Sequence, residues 1–522
     1  MAELNHECGL AGIYLIPGQP VPSWVPADVG AEVSRLIPRM LLDQQNRGQL
    51  AAGMTGYNPA SPHLLTTYKE LGAVNEAFRT NHREKFAQIM ESVAGPAGVG
   101  HVRYATCGPE DLSYAQPFER FHGCKWKWFA FAFNGQLANY AALAGDLLTR
   151  QDYHLTRDTD TEVIMHHLSY QLRADRPDLA TMFRNLAQVF DGAYNLLYLN
   201  AMGELVAVRD PLGIRPLCWA KEGGLVAFAS ESVALSNLGF REVHPVTPGE
   251  IILVSPEGIR RESLGPAPHR AHCFFEWIYF ANVASELDER SVYQVRAALG
   301  RELAQTEEID IDDDVIVVPV PDTAKAAADA MAFALKRPSV EGLFRNRYVG
   351  RTFIQGGDRL ERARQKYTPV RQILEGKRVL LVEDTIVRST TMQSLLKIMR
   401  DVGGAKEIHV RVACPPIVAP CFYGIDMSTV GELFAPKFMR AGDDVTPDVL
   451  DEMARTLGAD SLRYLSRESL ARAIDLPAKD LCRACVGDGY PTPEGRRLYQ
   501  VALKQGTNGT VGRVYDRISA VR

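Results

Sequence analysis

Cys8, followed by Gly9 and an apolar strand-like run, places a thiol close to the start of the chain. On its own it reads as a small buried cysteine. If residues 1–7 are removed, Cys8 becomes the first residue, and its freed α-amino group, with a pKa near ~8, takes the proton of the thiol. Nucleophile and base then share one residue. The run VLLVEDTIVRSTT at 379–391 opens with four apolar residues and two adjacent acids, then places four hydroxyl residues within seven positions, and leads into a helical pattern. It reads as a buried strand and a capped helix, but neighbouring carboxylates are costly to hold together unless a cation or a diol engages them. Hydroxyls and helix N-terminal N–H groups just beyond make an anion cradle, so the run describes a sugar phosphate site. Cys482 and Cys485 form a CxxC in LCRACVGDGYP, with Cys273 and Cys421 further back. By itself the CxxC reads as a redox pair, half of a metal site, or coincidence, and Cys273 and Cys421 read as buried.

These residues need a scaffold, and the hydrophobic pattern changes character once along the chain. Up to about residue 240, short apolar runs such as GLAGIYLI, VGHVRYAT, WFAFAFNG, AYNLLYLN and LVAVRD alternate with Gly and Asn/Asp turns, which suits an α+β sheet domain. From about 308, strands are followed by amphipathic helices: DVIVVPVPD then TAKAAADAMAFALK, and KRVLLVED then STTMQSLLKIMRDVGG. This alternation implies α/β architecture with a parallel sheet. The Pro-, Gly- and charge-rich stretch SPEGIRRESLGPAPHR places a boundary near 260, and the segment after about 466 is helical before a Gly/Asn-rich tail.

Composition bounds the rest. With 522 residues, 46% hydrophobic and 23% charged, the chain is globular, of about three domains or two large ones; disorder, collagen and coiled coil are excluded. A net charge of −5 offers no bulk attraction for nucleic acid or an anionic membrane. No apolar run approaches the roughly 18 residues of a spanning helix, and MAELNHECG lacks the basic and apolar regions of a secretory signal, so the cytoplasm is the expected compartment. Nine cysteines are too sparse, and odd in number, for a disulfide scaffold.

In their order and intervals, ECGLAGIY, QQNRGQLAAGM, GHVRYAT with AQPF, FNGQLANY, RDTDTEV, and VRDPLGIRPL followed by ASESVAL resemble the class II glutamine amidotransferase domain of the glutamine phosphoribosylpyrophosphate amidotransferases. The resemblance implies an N-terminal-nucleophile (αββα) glutaminase domain that releases ammonia from glutamine through a thioester on Cys8. It implies Arg103 on the α-carboxylate of glutamine and Asp160 on its α-ammonium, a pair that a zwitterion requires. Asn134 and Gly135 would then donate a side-chain and a backbone N–H to the oxyanion, at roughly 3 kcal/mol per donor. Taken singly, Arg103 reads as a salt bridge, Asp160 as a helix cap and Asn-Gly as a hairpin turn.

The second half resembles the type I phosphoribosyltransferases. That resemblance implies Glu383 and Asp384 on the ribose hydroxyls and Mg2+, with residues 385–391, among them Thr385, Arg388, Ser389, Thr390 and Thr391, around the 5-phosphate. PVPDTAKAAA resembles the pyrophosphate loop, with Thr323 near the metal, and NRYVGRTFI at 346–354, with Arg351, resembles a loop that closes over the substrate and excludes water. Cys273, Cys421, Cys482 and Cys485 resemble the ligands of the iron-sulfur branch of the family, in which a propeptide is also found. They imply a [4Fe–4S] cluster, tetrahedral zinc on the same thiolates being the local alternative.

The chain departs from the family pattern at Asn46 (usually His), Leu50 (an acid), Phe133 (His), 281–285 (ANVAS for ARPDS), Glu383 (Asp) and Ser389 (Gly). The domains expected are a propeptide at 1–7, the glutaminase at 8–260, the phosphoribosyltransferase at 261–465 and a C-terminal segment at 466–522. The expected reaction delivers ammonia from glutamine to C1 of phosphoribosyl pyrophosphate, giving phosphoribosylamine, pyrophosphate and glutamate, the first committed step of purine synthesis. An internal apolar channel between the sites, inhibition by purine nucleotides and a homotetramer complete the expectation. Its rivals are a paralogue that feeds another acceptor or acts as a glutaminase, and a non-catalytic purine-nucleotide sensor.

Overall fold

The computed structural model describes residues 8–104, 111–150, 153–346, 367–425, 427 and 429–506. Residues 1–7, most of the 346–354 loop including Arg351, and the tail from 507 lie outside the described residues.

The first half stacks two antiparallel sheets. One has seven strands, with Gly9–Leu15 between Leu225–Ala229 and Ala97–Arg103 near its middle; the other has six, with Phe129–Leu137 and Gly192–Asn200 paired inside it. Strand residues alternate between two different apolar environments. In Phe129–Leu137, Ala130 and Ala132 face the opposite sheet beside Leu10 and Leu197, while Phe129, Phe131 and Phe133 pack with Ile164 and Phe183 of the covering helices. In this strand the small residues lie between the sheets and the large ones beneath the helices, within the αββα layering. Ala11 and Ile13 likewise face Ile37, Leu41 and Leu235 of the other helical layer. Both faces are covered, so these strands read as unbroken apolar runs in the sequence. The hairpin Glu250–Ser255/Gly258–Ser263 forms one edge of the six-stranded sheet.

The second half is a four-stranded parallel sheet, Val315–Pro319, Arg378–Glu383, Glu407–Val412 and Ser461–Tyr464 in spatial order. Helices Lys325–Leu335 and Ser389–Asp401 follow its first two strands. Helix Val292–Gln305, capped by Ser291, leads into it, and helix Arg467–Ile474 packs against that helix. Between the halves runs the segment from His272 through a single π-helical turn, Glu276–Phe280, whose apolar residues join the core of the second half.

Candidate functional site

Cys8 precedes Gly9–Leu15, and the register Gly9 opposite Val102 brings it alongside the end of Ala97–Arg103. Its Sγ lies 3.6 Å from the Tyr104 carbonyl oxygen. Arg103 is buried, with its guanidinium 5.5 Å from the ring centroid of Tyr114. Gly48 lets the neighbouring loop lie on Arg103: a Cβ there would come within 2.6 Å of the Arg103 carbonyl carbon.

Asn134 and Gly135 sit on the opposing sheet. Asn134 Nδ2 donates to Ser230 Oγ at 3.4 Å, and the same oxygen accepts Leu10 N–H at 3.0 Å, so one hydroxyl ties this strand to the strand that follows Cys8. Gly135 has φ +140°, and a Cβ would meet Ala193 O at 2.1 Å, so only glycine fits. The residue before them is clamped at both backbone groups. Phe133 N–H donates to Gln116 Oε1 at 2.7 Å, and Phe133 O lies 3.2 Å from His101 Nε2. Burial drives the His101 pKa down to about 3, so the ring is neutral and its Nε2–H serves Phe133. Asp160 opens helix Asp160–Gln171 behind its N-cap Thr159 and accepts Leu137 N–H at 3.3 Å. Burial outweighs these bonds and raises its pKa to about 6. The fold thus gathers Cys8, Arg103, Asn134, Gly135 and Asp160 toward one end of the strands of the sandwich. Gln116 and His101 lie inside the AQPF and GHVRYAT motifs, but their supporting role follows only from the contact with Phe133.

The second constellation lies beyond the carboxyl ends of two adjacent parallel strands, where open α/β sheets bind ligands. Pro319 pairs with Val382, and Val320 N–H donates to Val382 O at 2.9 Å, so the loops carrying Thr323 and Asp384 leave the sheet side by side. Asp384 is buried; it accepts Thr385 Oγ1–H at 3.0 Å, and its own N–H donates to Glu383 Oε1 at 3.1 Å. Ser389 begins helix Ser389–Asp401 with no left-handed backbone, so its Cβ is accommodated where the family usually has glycine. Thr390 and Thr391 follow in the first turn, whereas Arg388 is turned toward Glu432, 3.2 Å away. Tyr279, Tyr367 and the Arg345–Asp322 pair (3.8 Å) are neighbours that the sequence pattern did not announce. Both phenols are pushed upward, first by burial and then by the carboxylates of Glu383 and Asp384.

The four cysteines come together from three separated segments. Cys273 and Cys482 oppose each other on the short parallel pair His272–Cys273 and Leu481–Cys482. The Cys485 carbonyl accepts the N–H groups of Val418 (2.8 Å) and Ala419 (3.1 Å), which draws in the segment of Cys421. All four are buried in the core of the second half. Burial pushes the Cys482 thiol up to about 12; Cys485 is raised by burial and then by Cys421, Cys273 and Cys482 around it. Among the described residues no group of three or more His, Cys, Asp or Glu forms a ready ion site. No described helix is long and apolar enough to cross a membrane.

Known proteins resemble this chain in sequence and fold. Residues 102–237 match the family model described as "Glutamine amidotransferase domain". The chain is 38% identical to the amidophosphoribosyltransferase of Methanothermobacter thermautotrophicus over 94% of its length and 96% of the relative's. It is 34% identical to that of Bacillus subtilis over 94% and 95% of the two chains. Among solved structures, glutamine phosphoribosylpyrophosphate amidotransferase from B. subtilis, complexed with ADP and GMP, superposes with a TM-score of 0.79 at 33% identity, covering 93% of this chain and 98% of that one.

Proposed function

The chain belongs to the amidophosphoribosyltransferase family, and from that premise we propose how its two sites divide the reaction. It is a pentosyltransferase of the first step of purine biosynthesis, with a glutamine amidotransferase domain joined to a phosphoribosyltransferase domain. The observation that carries the residue assignments is the convergence of Cys8, Arg103, Asn134, Gly135 and Asp160 toward one end of the stacked strands, separate from the acids of the parallel sheet.

In our reading residues 1–7 are removed and the α-amino group of Cys8 takes the proton of its own thiol. The thiolate attacks the carboxamide carbon of glutamine, held by Arg103 at its α-carboxylate and Asp160 at its α-ammonium. Asn134 Nδ2 and the Gly135 N–H receive the oxyanion, and because Gln116 and His101 fix Phe133, these donors are oriented before the substrate arrives. Collapse of the adduct expels ammonia, and water hydrolyses the thioester to glutamate. Ammonia in bulk water at neutral pH is mostly ammonium, so we infer direct passage to the second site through an internal apolar channel. There it displaces pyrophosphate from C1, with Thr385, Ser389, Thr390 and Thr391 around the 5-phosphate; we also assign Arg351 and Arg388 to this substrate.

Glu383, Asp384 and Thr323 offer the hard oxygen donors that suit Mg2+, which when bound would neutralise the departing pyrophosphate. We assign Cys273, Cys421, Cys482 and Cys485 to a [4Fe–4S] cluster: they bring four soft sulfurs from three segments to one apolar core, and binding would release their protons. We divide the chain at 8–260, 261–465 and 466–522, and extend to it purine-nucleotide regulation, a homotetramer and a cytoplasmic setting.

Purified protein is expected to release pyrophosphate from phosphoribosyl pyrophosphate with glutamine and, separately, with ammonium salt, and to carry iron with acid-labile sulfide. Release with neither nitrogen source rejects the reading, and zinc without sulfide rejects the cluster. Asp160 gives a pH test. Its pKa is raised to about 6, and only the carboxylate holds the α-ammonium of glutamine. As pH falls below that value the KM for glutamine should rise about tenfold per unit, because the competent form is lost. A KM for glutamine that is flat between pH 7 and 5 would contradict the assignment.

A further inference from the structure

A carboxylate that neither site uses is buried where the two halves meet. Glu231 stands at the head of helix Ser232–Leu238 and is fully enclosed. Its Oε1 accepts from Arg47 Nε at 2.6 Å and Asn46 Nδ2 at 2.8 Å; its Oε2 accepts from Asn282 N–H at 2.7 Å and Ser285 Oγ–H at 2.8 Å. Two donors come from the glutaminase loop and two from the connector between the halves. Asn46 also donates to Phe280 O at 2.9 Å, and Arg47 reaches across to Glu276 at 2.7 Å. Four donors on one desolvated carboxylate form a directional anchor, whose bonds are strengthened by the low local dielectric.

The flanks of this anchor touch both sites. Ser230, its chain neighbour, holds Asn134 and Leu10 through one hydroxyl, and Ser230 N–H donates to Gln44 Oε1 at 3.0 Å. From the other side Arg296 donates to the carbonyls of Trp277 (2.9 Å), Tyr279 (3.1 Å) and Ala281 (2.8 Å), and Tyr279 lies within the field of Asp384 and Glu383. Segment 276–285 is therefore gripped by Glu231 on the glutaminase face and by Arg296 on the phosphoribosyl face. Asn46, a departure from the family pattern, and Ser285, which the pattern retains, both donate to the same carboxylate.

Building on the functional reading above, we infer that Glu231 is a positioning residue that couples the two sites: displacement of segment 276–285 by the sugar phosphate is passed through Glu231 and Ser230 to Asn134. Asn46 and Ser285 are parts of that latch. The coupling is a free energy between two distinct sites, so it is read as a ratio of rates.

The test uses the full-length processed protein. Glutamine hydrolysis is measured with and without phosphoribosyl pyrophosphate, and pyrophosphate release is measured with ammonium salt. In Glu231→Gln, Arg47 keeps Glu276, which it shares with Arg215 (3.4 Å), so Ser285→Ala is the companion variant that leaves the buried charges unaltered. The unaltered protein is expected to hydrolyse glutamine faster when phosphoribosyl pyrophosphate is present. In Glu231→Gln that stimulation should fall about tenfold, in kcat and not in KM for glutamine, with ammonia-dependent release within about twofold. Ser285→Ala, which removes one donor and disturbs packing least, should shift the ratio the same way, and the double variant should be no worse than Glu231→Gln. An unchanged ratio in either single variant, no stimulation in the unaltered protein, or an equal loss of ammonia-dependent release overturns this inference alone. Absence of pyrophosphate release from the unaltered protein overturns the functional reading and this inference with it.

Discussion

Cys8→Ala is expected to lower glutamine-dependent phosphoribosylamine synthesis by about 10^4-fold or more, because the variant has no nucleophile to form a thioester. Ammonia-dependent synthesis should stay within about twofold, since the acids of the parallel sheet belong to the other half of the chain. Alanine fits the site: the thiol is partly exposed, with its Sγ 3.6 Å from Tyr104 O. The substitution therefore removes chemistry and leaves packing intact. Pyrophosphate release with each nitrogen source on one preparation, with intact mass to verify that the chain begins at residue 8, makes the comparison. Equal loss with both sources, or retention of glutamine-dependent turnover, would defeat the assignment of Cys8.

Asp384→Asn should produce the mirror result. Asparagine keeps the volume of this buried residue and removes the charge at the end of strand Arg378–Glu383. In the proposed reaction, expulsion of pyrophosphate from C1 places positive charge on the sugar, and the carboxylates would hold the cation that offsets the leaving group. A loss of about 4 kcal/mol of transition-state stabilisation corresponds to about 10^3-fold. That loss should appear with glutamine and with ammonium alike, while glutamine hydrolysis without sugar phosphate stays within about twofold. A variant that retained ammonia-dependent release would move the reacting carboxylate elsewhere, Glu383 being the adjacent candidate.

The two variants separate the half-reactions because the sequence itself keeps them apart. Each group assigned a role in the proposed reaction is readable because it lies in a short contiguous run: Cys8 before its strand, Asn134 and Gly135 near a strand end, Glu383 and Asp384 before their helix. The two fold classes were legible too, because strands covered on both faces and strands followed by amphipathic helices leave different hydrophobic periods. Ser389 illustrates the limit of that reading. As a departure from glycine it implied a demand on the backbone, and the helical conformation found there accepts a Cβ without strain.

Contacts between residues far apart in the chain were not legible. The convergence of Cys273, Cys421, Cys482 and Cys485 could be reached only by resemblance, since a parallel pair of two-residue strands and a carbonyl of Cys485 bring them together. Tyr279 and Tyr367 join the acids only after the π-helical turn and the strand Tyr367–Pro369 are packed against them. Asn46, Glu231 and Ser285 are unremarkable in their own segments. Local sequence fixes which dihedral angles and which faces a segment prefers, and those preferences extend over a few residues. Hydrogen bonds among buried groups depend instead on which segments desolvation forces together, and for the latch around Glu231 only the tertiary fold decided that.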